Sequence, residues 1–81
     1  MRKNKIISED KNIIKCQYDS SNIGGSEYNI EKKELLIDFN NKVKYLYEGV
    51  TDVDYLHFEA SKSQGKAFHK YIKKYDYKRV E

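Results

Sequence analysis

Apolar and polar residues alternate along the first half of the chain, then change period. From Asn12 to Tyr18 the alternation puts Ile14, Cys16 and Tyr18 on one face of a short strand. Asp19, Ser20, Ser21 and Asn22 follow as a turn cluster, because such side chains hydrogen-bond nearby backbone groups. Ile23 to Tyr28 reads as another strand, in which Gly24-Gly25 marks a bulge or a close backbone approach. Asn29 to Lys33 is a polar turn.

The next pair of strands carries its register in the sequence. Leu35, Ile37 and Phe39 alternate with Leu36 and Asp38, and Val43, Tyr45 and Tyr47 alternate with Lys44 and Leu46. A three-residue loop, Asn40-Asn41-Lys42, pairs Phe39 with Val43, Ile37 with Tyr45 and Leu35 with Tyr47. On the other face it sets Asp38 against Lys44. A two-residue loop would oppose Ile37 and Lys44 and invert both faces. The three-residue loop ends in a left-handed residue, a place that falls to Lys42 at a cost of roughly 1 kcal/mol.

After Gly49 the period becomes helical. Thr51-Asp52-Val53-Asp54 has the form of a capping box with acidic residues in the first turn. A helix is predicted over about Asp52 to Ala60. After a break near Ser61 to Gly65, a second helix is predicted to about Lys74. Phe68, Tyr71, Ile72 and Tyr75 share one of its faces, turned to the sheet. Lys62, Lys66, His69, Lys70 and Lys73 fall on the opposite side. Tyr77 and Val80 are expected to fold back on the sheet. These elements predict an α+β fold: an antiparallel β-meander of three to four strands followed by two C-terminal helices packed on one face. Residues 1–12 read as an N-terminal arm and residues 13–81 as a single domain.

Composition narrows this picture. A chain of 81 residues buries only about 60% of its unfolded surface, so oligomerisation is an open option. With 8 tyrosines, the core must recruit phenol rings whose hydroxyls reach water or a partner. One cysteine, Cys16, excludes a disulfide framework and a cysteine zinc cluster, and fits a reducing compartment. No apolar run is long enough for a membrane span, and none follows the basic start as a signal peptide requires. A cytoplasmic protein without membrane contact is expected. The abundance of Lys, Asn, Ile and Tyr fits an AT-rich coding sequence, as in a low-GC bacterium or its phage.

Charge is distributed unevenly. Residues 61–81 hold seven basic side chains against two acidic ones, a net +5, whereas residues 1–60 hold nine against eleven, a net −2. This small basic protein therefore carries its positive charge at the C-terminal end, as a docking surface for something anionic would. An ordinary solvated lysine face is the competing reading. Tyr45 and Tyr47 sit beside Ile37 and Leu35 and read as core, which leaves tyrosines outside that layer, such as Tyr18 or Tyr77, to stack on bases. Ser20-Ser21-Asn22 before Gly24-Gly25 is a structural turn or an anion-binding loop. His57 and His69 have no ligand set around them, so neither metal nor cofactor is expected. Cys16 reads as a small buried hydrophobe. Asp38, Asp52 and Asp54 form no acid–base pair, and no catalysis is expected.

One resemblance covers about Ser20 to Val80. It rests on Ser20-Ser21-Asn22-Ile23, Tyr28, Leu35, Phe39, Tyr45-Leu46-Tyr47, Val50, Tyr55, Ser63, Gly65, Phe68, Ile72 and Tyr75. Together these resemble the KTSC domain, named for a C-terminal extension on some lysyl-tRNA synthetases and found also in small free-standing bacterial and phage proteins. Departures are Lys42 for the hairpin glycine, and Thr51 and Asp76 for two prolines. The resemblance implies nucleic-acid binding, with RNA favoured. The resulting expectation is a non-enzymatic binding module for a phosphate-bearing ligand. Its candidate contacts are Lys62, Lys66, His69, Lys70, Lys73 and Arg79, with Ser20, Ser21 and Asn22. One alternative is a small homo-oligomer, a phage anti-defence protein for instance, that sequesters a nucleotide-derived signal. A protein-interaction adaptor is another.

Overall fold

Two rows of side chains running across the strands organise the fold. One row is Ile14, Tyr28, Leu35, Tyr47 and Tyr77; the other is Cys16, Ser26, Ile37, Tyr45 and Arg79. Directly opposed residues of antiparallel strands share a face, so both rows line the same side of one sheet. The computed structural model describes residues 3–7, 12–18 and 20–80, with side chains from residue 12 onward. The expected N-terminal arm lies partly outside the described residues, as do Asp19 of the turn and Glu81.

The strands are β1 (Lys3–Ile7), β2 (Ile13–Tyr18), β3 (Ile23–Asn29), β4 (Glu34–Phe39), β5 (Lys44–Glu48) and β6 (Tyr77–Arg79). They form an antiparallel sheet in sequential order. The described residues thus hold six strands rather than three to four. The two additional ones, β1 and β6, are edge strands; β6, at three residues, is too short for its alternation to be read. The β4–β5 register is the one that a three-residue loop dictates, with Leu35 opposite Tyr47, Ile37 opposite Tyr45 and Asp38 opposite Lys44. Lys42 takes the left-handed conformation at φ 69°.

The glycine pair does both things a strand glycine can do. Ile23 pairs with Phe39 and Gly25 with Asp38, so Gly24 is an extra residue in β3. This bulge moves Ile23 from the outer face to the inner one, where it is buried beside Phe39. Gly25 lies where a Cβ would come within 2.9 Å of the Cys16 carbonyl oxygen, a distance no side chain tolerates.

Helix α1 (Asp52–Ala60) crosses the inner face. The Thr51 side chain accepts from the Asp54 amide at 3.2 Å and caps it. Tyr55 stacks on Tyr28 at 4.2 Å, and Phe58 meets Tyr18 edge-on at 5.8 Å. At the far end, Gln64 Nε2 donates to the Ser61 carbonyl at 2.8 Å and lies 3.5 Å from those of Phe58 and Glu59. One amide thus serves acceptors that the helix leaves open.

The second helix departs from expectation. A short α2 (Gln64–Ala67) passes into a π-helical turn at Phe68–Ile72, closed by Lys73 N–H donating to the Phe68 carbonyl at 2.9 Å. A π turn accommodates one extra residue, so the helical face does not run straight from Phe68 to Tyr75. Phe68 and Ile72 are buried in the core. Tyr71 instead stacks on His57 of α1 at 5.0 Å, and the Tyr75 hydroxyl donates to Asp54. Two of the four expected sheet anchors thus tie this segment to α1.

Tyr28 is the hub of the core. Its hydroxyl lies 2.7 Å from the Val50 carbonyl and 2.7 Å from Asp52 Oδ1. Tyr28→Phe is expected to lower stability by about 1–3 kcal/mol, read as a shift of the urea midpoint; an unchanged midpoint would contradict this role. Burial also pushes the phenols of Tyr18, Tyr28 and Tyr55 well above the ordinary value of 10.0, and that of Tyr47 up to about 12. Above pH 10 the unfolded chain releases protons that the folded chain retains. The stability they confer is complete below pH 10 and is lost as the pH rises through the folded values. The melting temperature should fall above pH 10, less steeply in Tyr47→Phe, while phenolate absorbance shows the native chain titrating fewer tyrosines than the unfolded one.

Candidate functional site

At one end of the sheet, the β2–β3 turn meets the β4–β5 loop. Asn40 joins them: its backbone N–H donates to the Asn22 carbonyl at 2.9 Å, and its Nδ2 donates to the Ser20 carbonyl at 2.8 Å. Within the turn, the Asn22 N–H donates to Ser20 Oγ at 3.4 Å. The start of α2 approaches from the helical layer, so close that a Cβ on Gly65 would meet Asn22 Nδ2 at 3.5 Å.

A cleft of about 550 Å³ opens between these elements. Ile23, Phe39 and Phe68 give it an apolar floor, and Ser21, Asn22, Asn40, Asn41, Gly65 and His69 a polar rim. A second hollow of about 260 Å³ shares Ser21, Asn22, Gly65 and His69 and adds Ser20, Ser63 and Lys66. The combination of an apolar floor with a few convergent polar groups is typical of small-molecule sites.

The rim is rich in donors. Ser20 Oγ and Ser63 Oγ each accept from a backbone amide, and a hydroxyl that accepts still has its proton to give. Asn41 Oδ1 accepts from the Val43 N–H at 3.2 Å, a bond that does not use its amide hydrogens. With the Lys66 ammonium, these groups suit an anion at the hollow and a flat apolar group over the floor. Among the described residues no group of His, Cys, Asp and Glu is placed to hold a metal ion.

The structure brings together five of the sequence-predicted residues, Ser20, Ser21, Asn22, Lys66 and His69, although the turn and the helix lie over forty positions apart in the chain. Lys62, Lys70, Lys73 and Arg79 do not line the cleft. Lys62 and Lys73 are exposed. Lys70 places its ammonium 5.3 Å over the Tyr71 ring, and Arg79 lies opposite Tyr45 on the edge strand. Tyr18 is no stacking platform: it is buried against Phe58, with its hydroxyl 2.9 Å from Ser26 Oγ. Tyr77, the other tyrosine so considered, is exposed. No local pattern in the sequence marks Ile23, Phe39, Asn40, Asn41, Ser63, Gly65 or Phe68 as cleft residues. The Asn40-Asn41 pair was legible as a turn, but its contact with Ser20 is long-range.

Other polar clusters are closed on themselves. Asp52 accepts from Lys33 and Tyr28, and Asp54 from Tyr75 and Lys74. Those hydrogen bonds hold both carboxyls below their usual range. On the outer face of the sheet, a hollow of about 230 Å³ is bordered by both Lys15 and Glu27, themselves paired at 3.5 Å.

The family model of the KTSC domain matches residues 19–77, a span that contains every residue of the cleft. The fold is similar to the crystal structure of a KTSC domain protein from Yersinia pestis. The TM-score is 0.77, with 99% of this chain and 100% of that chain covered at 22% sequence identity. No curated protein matches the chain.

Removing the Asn40 side chain tests how the cleft is assembled. Asn40→Ala loses the bond to the Ser20 carbonyl, worth about 1 kcal/mol, and should lower the melting temperature by about 4–8 °C. Amide exchange should quicken selectively in the β2–β3 turn. A uniform change across the sheet would contradict this assignment.

Proposed function

The chain belongs to the KTSC domain family, and on that premise we propose that it is a non-enzymatic binding module for single-stranded RNA. One nucleotide occupies the cleft. Its base lies over Phe39 and Phe68, and its phosphate takes donors from Ser20, Ser21 and Lys66. The observation that carries this reading is the convergence of the serine-rich turn with Lys66 and His69 around an aromatic floor.

Electrostatics supports an extended ligand over an isolated small molecule. Among the described residues Lys62, Lys66, Lys70 and Lys73 have no carboxylate partner, whereas Lys33 and Lys74 are paired with Asp52 and Asp54. Of these, Lys66 borders the hollow; unneutralised lysines along the same segment support a ligand with a phosphate backbone, whose binding would release counterions.

A second reading rests on a different observation. Val53 and Leu56 of α1 are 63% and 51% exposed, as an interface between copies would require before assembly. With the cleft, this favours a homo-oligomer that sequesters a nucleotide-derived signal.

Binding of generic single-stranded RNA across a salt series tests the first reading. If three or four phosphates are neutralised, log affinity should fall against log salt with a slope of about −2 to −3. Lys66→Ala should make the slope shallower by roughly one contact. Absence of binding at low salt overturns it. Mass measurement and thermal shifts against a nucleotide panel test the second; a monomer without a nucleotide-dependent shift overturns that.

A further inference from the structure

Beyond the cleft wall the aromatic side chains do not stop. Phe39, on the cleft floor, meets the half-buried Tyr45 edge-on at 5.6 Å, and Tyr45 meets Tyr77 at 5.3 Å. Phe68, also on the floor, meets Tyr47 at 5.5 Å, and Tyr47 meets Tyr77 at 5.4 Å. Both paths lead from the cleft to the same ring.

That ring is at once exposed and held. Tyr77 is 59% exposed, yet it inclines over both neighbours, at 42° to Tyr45 and 35° to Tyr47. Its backbone is fixed by the β5–β6 ladder, where it stands opposite Tyr47. Contact with Tyr45 and Tyr47 leaves the remainder of the ring turned to water. An exposed aromatic surface of restricted freedom costs little ordering entropy when something stacks on it. An aromatic ring whose only role is to cover an edge gains nothing from that exposure.

We infer that Tyr77, backed by Tyr45, is a second base-stacking subsite, which receives a base adjoining the nucleotide held in the cleft. This rests on the cleft reading and extends it: the ligand is a single strand of at least two nucleotides, and the β5–β6 edge is part of the interface. Stacking is tolerant of sequence because every base has a π-face. This subsite therefore contributes affinity and length dependence and leaves base identity to the amide groups of the cleft rim.

The test uses the full chain, with uridine monophosphate and a uridine tetranucleotide as probes and fluorescence anisotropy or competition as readout. The tetranucleotide should bind more tightly than the mononucleotide. Tyr77→Ala should weaken the tetranucleotide by about 5- to 150-fold, the loss of one stacked base, and leave the mononucleotide unchanged. Tyr77→Phe, which keeps the ring and loses the hydroxyl, should bind both as the parent does. Where Tyr77→Ala loosens β6, Tyr77→Leu replaces it, since it keeps apolar cover on Tyr45 and Tyr47 without an aromatic face. If the mononucleotide binds and neither Tyr77→Ala nor Tyr77→Leu affects the tetranucleotide, the subsite is overturned and the cleft reading stands. If neither probe binds at low salt, both are overturned.

Discussion

The position of the helical layer on the sheet depends on Tyr28. Its ring stacks on Tyr55, one turn into α1, while its hydroxyl reaches the Val50 carbonyl and Asp52, at the point where the chain enters that helix. One side chain of β3 therefore sets both the height of α1 above the sheet and the location of its first turn. The contact is demanding because it is buried: a phenol at this depth must find an acceptor or carry the full cost of desolvation. Lys33 and Asp52 complete the arrangement from the solvent side at 2.8 Å. There the ion pair itself is exposed and contributes little.

From that fixed layer the cleft follows by two smaller constraints. The bulge at Gly24 rotates Ile23 inward, so that Ile23 and Phe39 end their strands side by side beneath the two loops. The π-helical turn then changes the helical period from Phe68 onward, which turns Tyr71 and Tyr75 to α1, while Phe68 lies on the floor and Lys66 and His69 border the opening. Both are departures from regular secondary structure, and each adds one residue to a ladder that would otherwise close. Such insertions recur beside binding sites because they re-aim a side chain without altering the rest of the element.

These departures also mark where the sequence ceases to be readable. Period-two alternation and the loop length determine the β4–β5 register, because a slip of one residue would expose Leu35 and Ile37 and bury Asp38 and Lys44. Thr51 and its acidic followers mark the start of α1 for equally local reasons. Gly24-Gly25 announced an irregularity, but not that Ile23 would turn inward. The helix through Phe68 to Tyr75 looked regular because a 3.6-residue period fits its apolar residues; the hydrogen bond from Lys73 to Phe68 is invisible to that pattern. In the sequence pattern Tyr18 and Tyr77 both fall outside the Leu35–Tyr47 hairpin layer. Only the placement of Phe58 over Tyr18, and the edge position of β6 under Tyr77, separates a core ring from an exposed one. The meeting of Ser20–Asn22 with Lys66 and His69 is tertiary in the same sense.

The charge asymmetry along the chain acquires a more specific meaning in three dimensions. The first sixty residues are net acidic, and two of their carboxylates reach lysines of the C-terminal segment. Asp54 takes Lys74 at 3.0 Å, and Glu48 takes Lys78 at 3.5 Å. Two of the seven basic side chains of the C-terminal segment are thereby engaged near α1 and the sheet edge. Among the described residues, those left without a carboxylate include Lys62, Lys66, Lys70 and Lys73, which follow one another along the segment from the α1–α2 junction through the π-helical turn. Had the acidic residues been spread evenly, this stretch would be as neutralised as the outer face of the sheet, where Lys15 pairs with Glu27. The net charge alone is modest at +3. It is concentrated on one segment of the chain, of which Lys66 borders the hollow, and solvent screening within about 10 Å at ordinary salt confines each lysine's influence to its own neighbourhood.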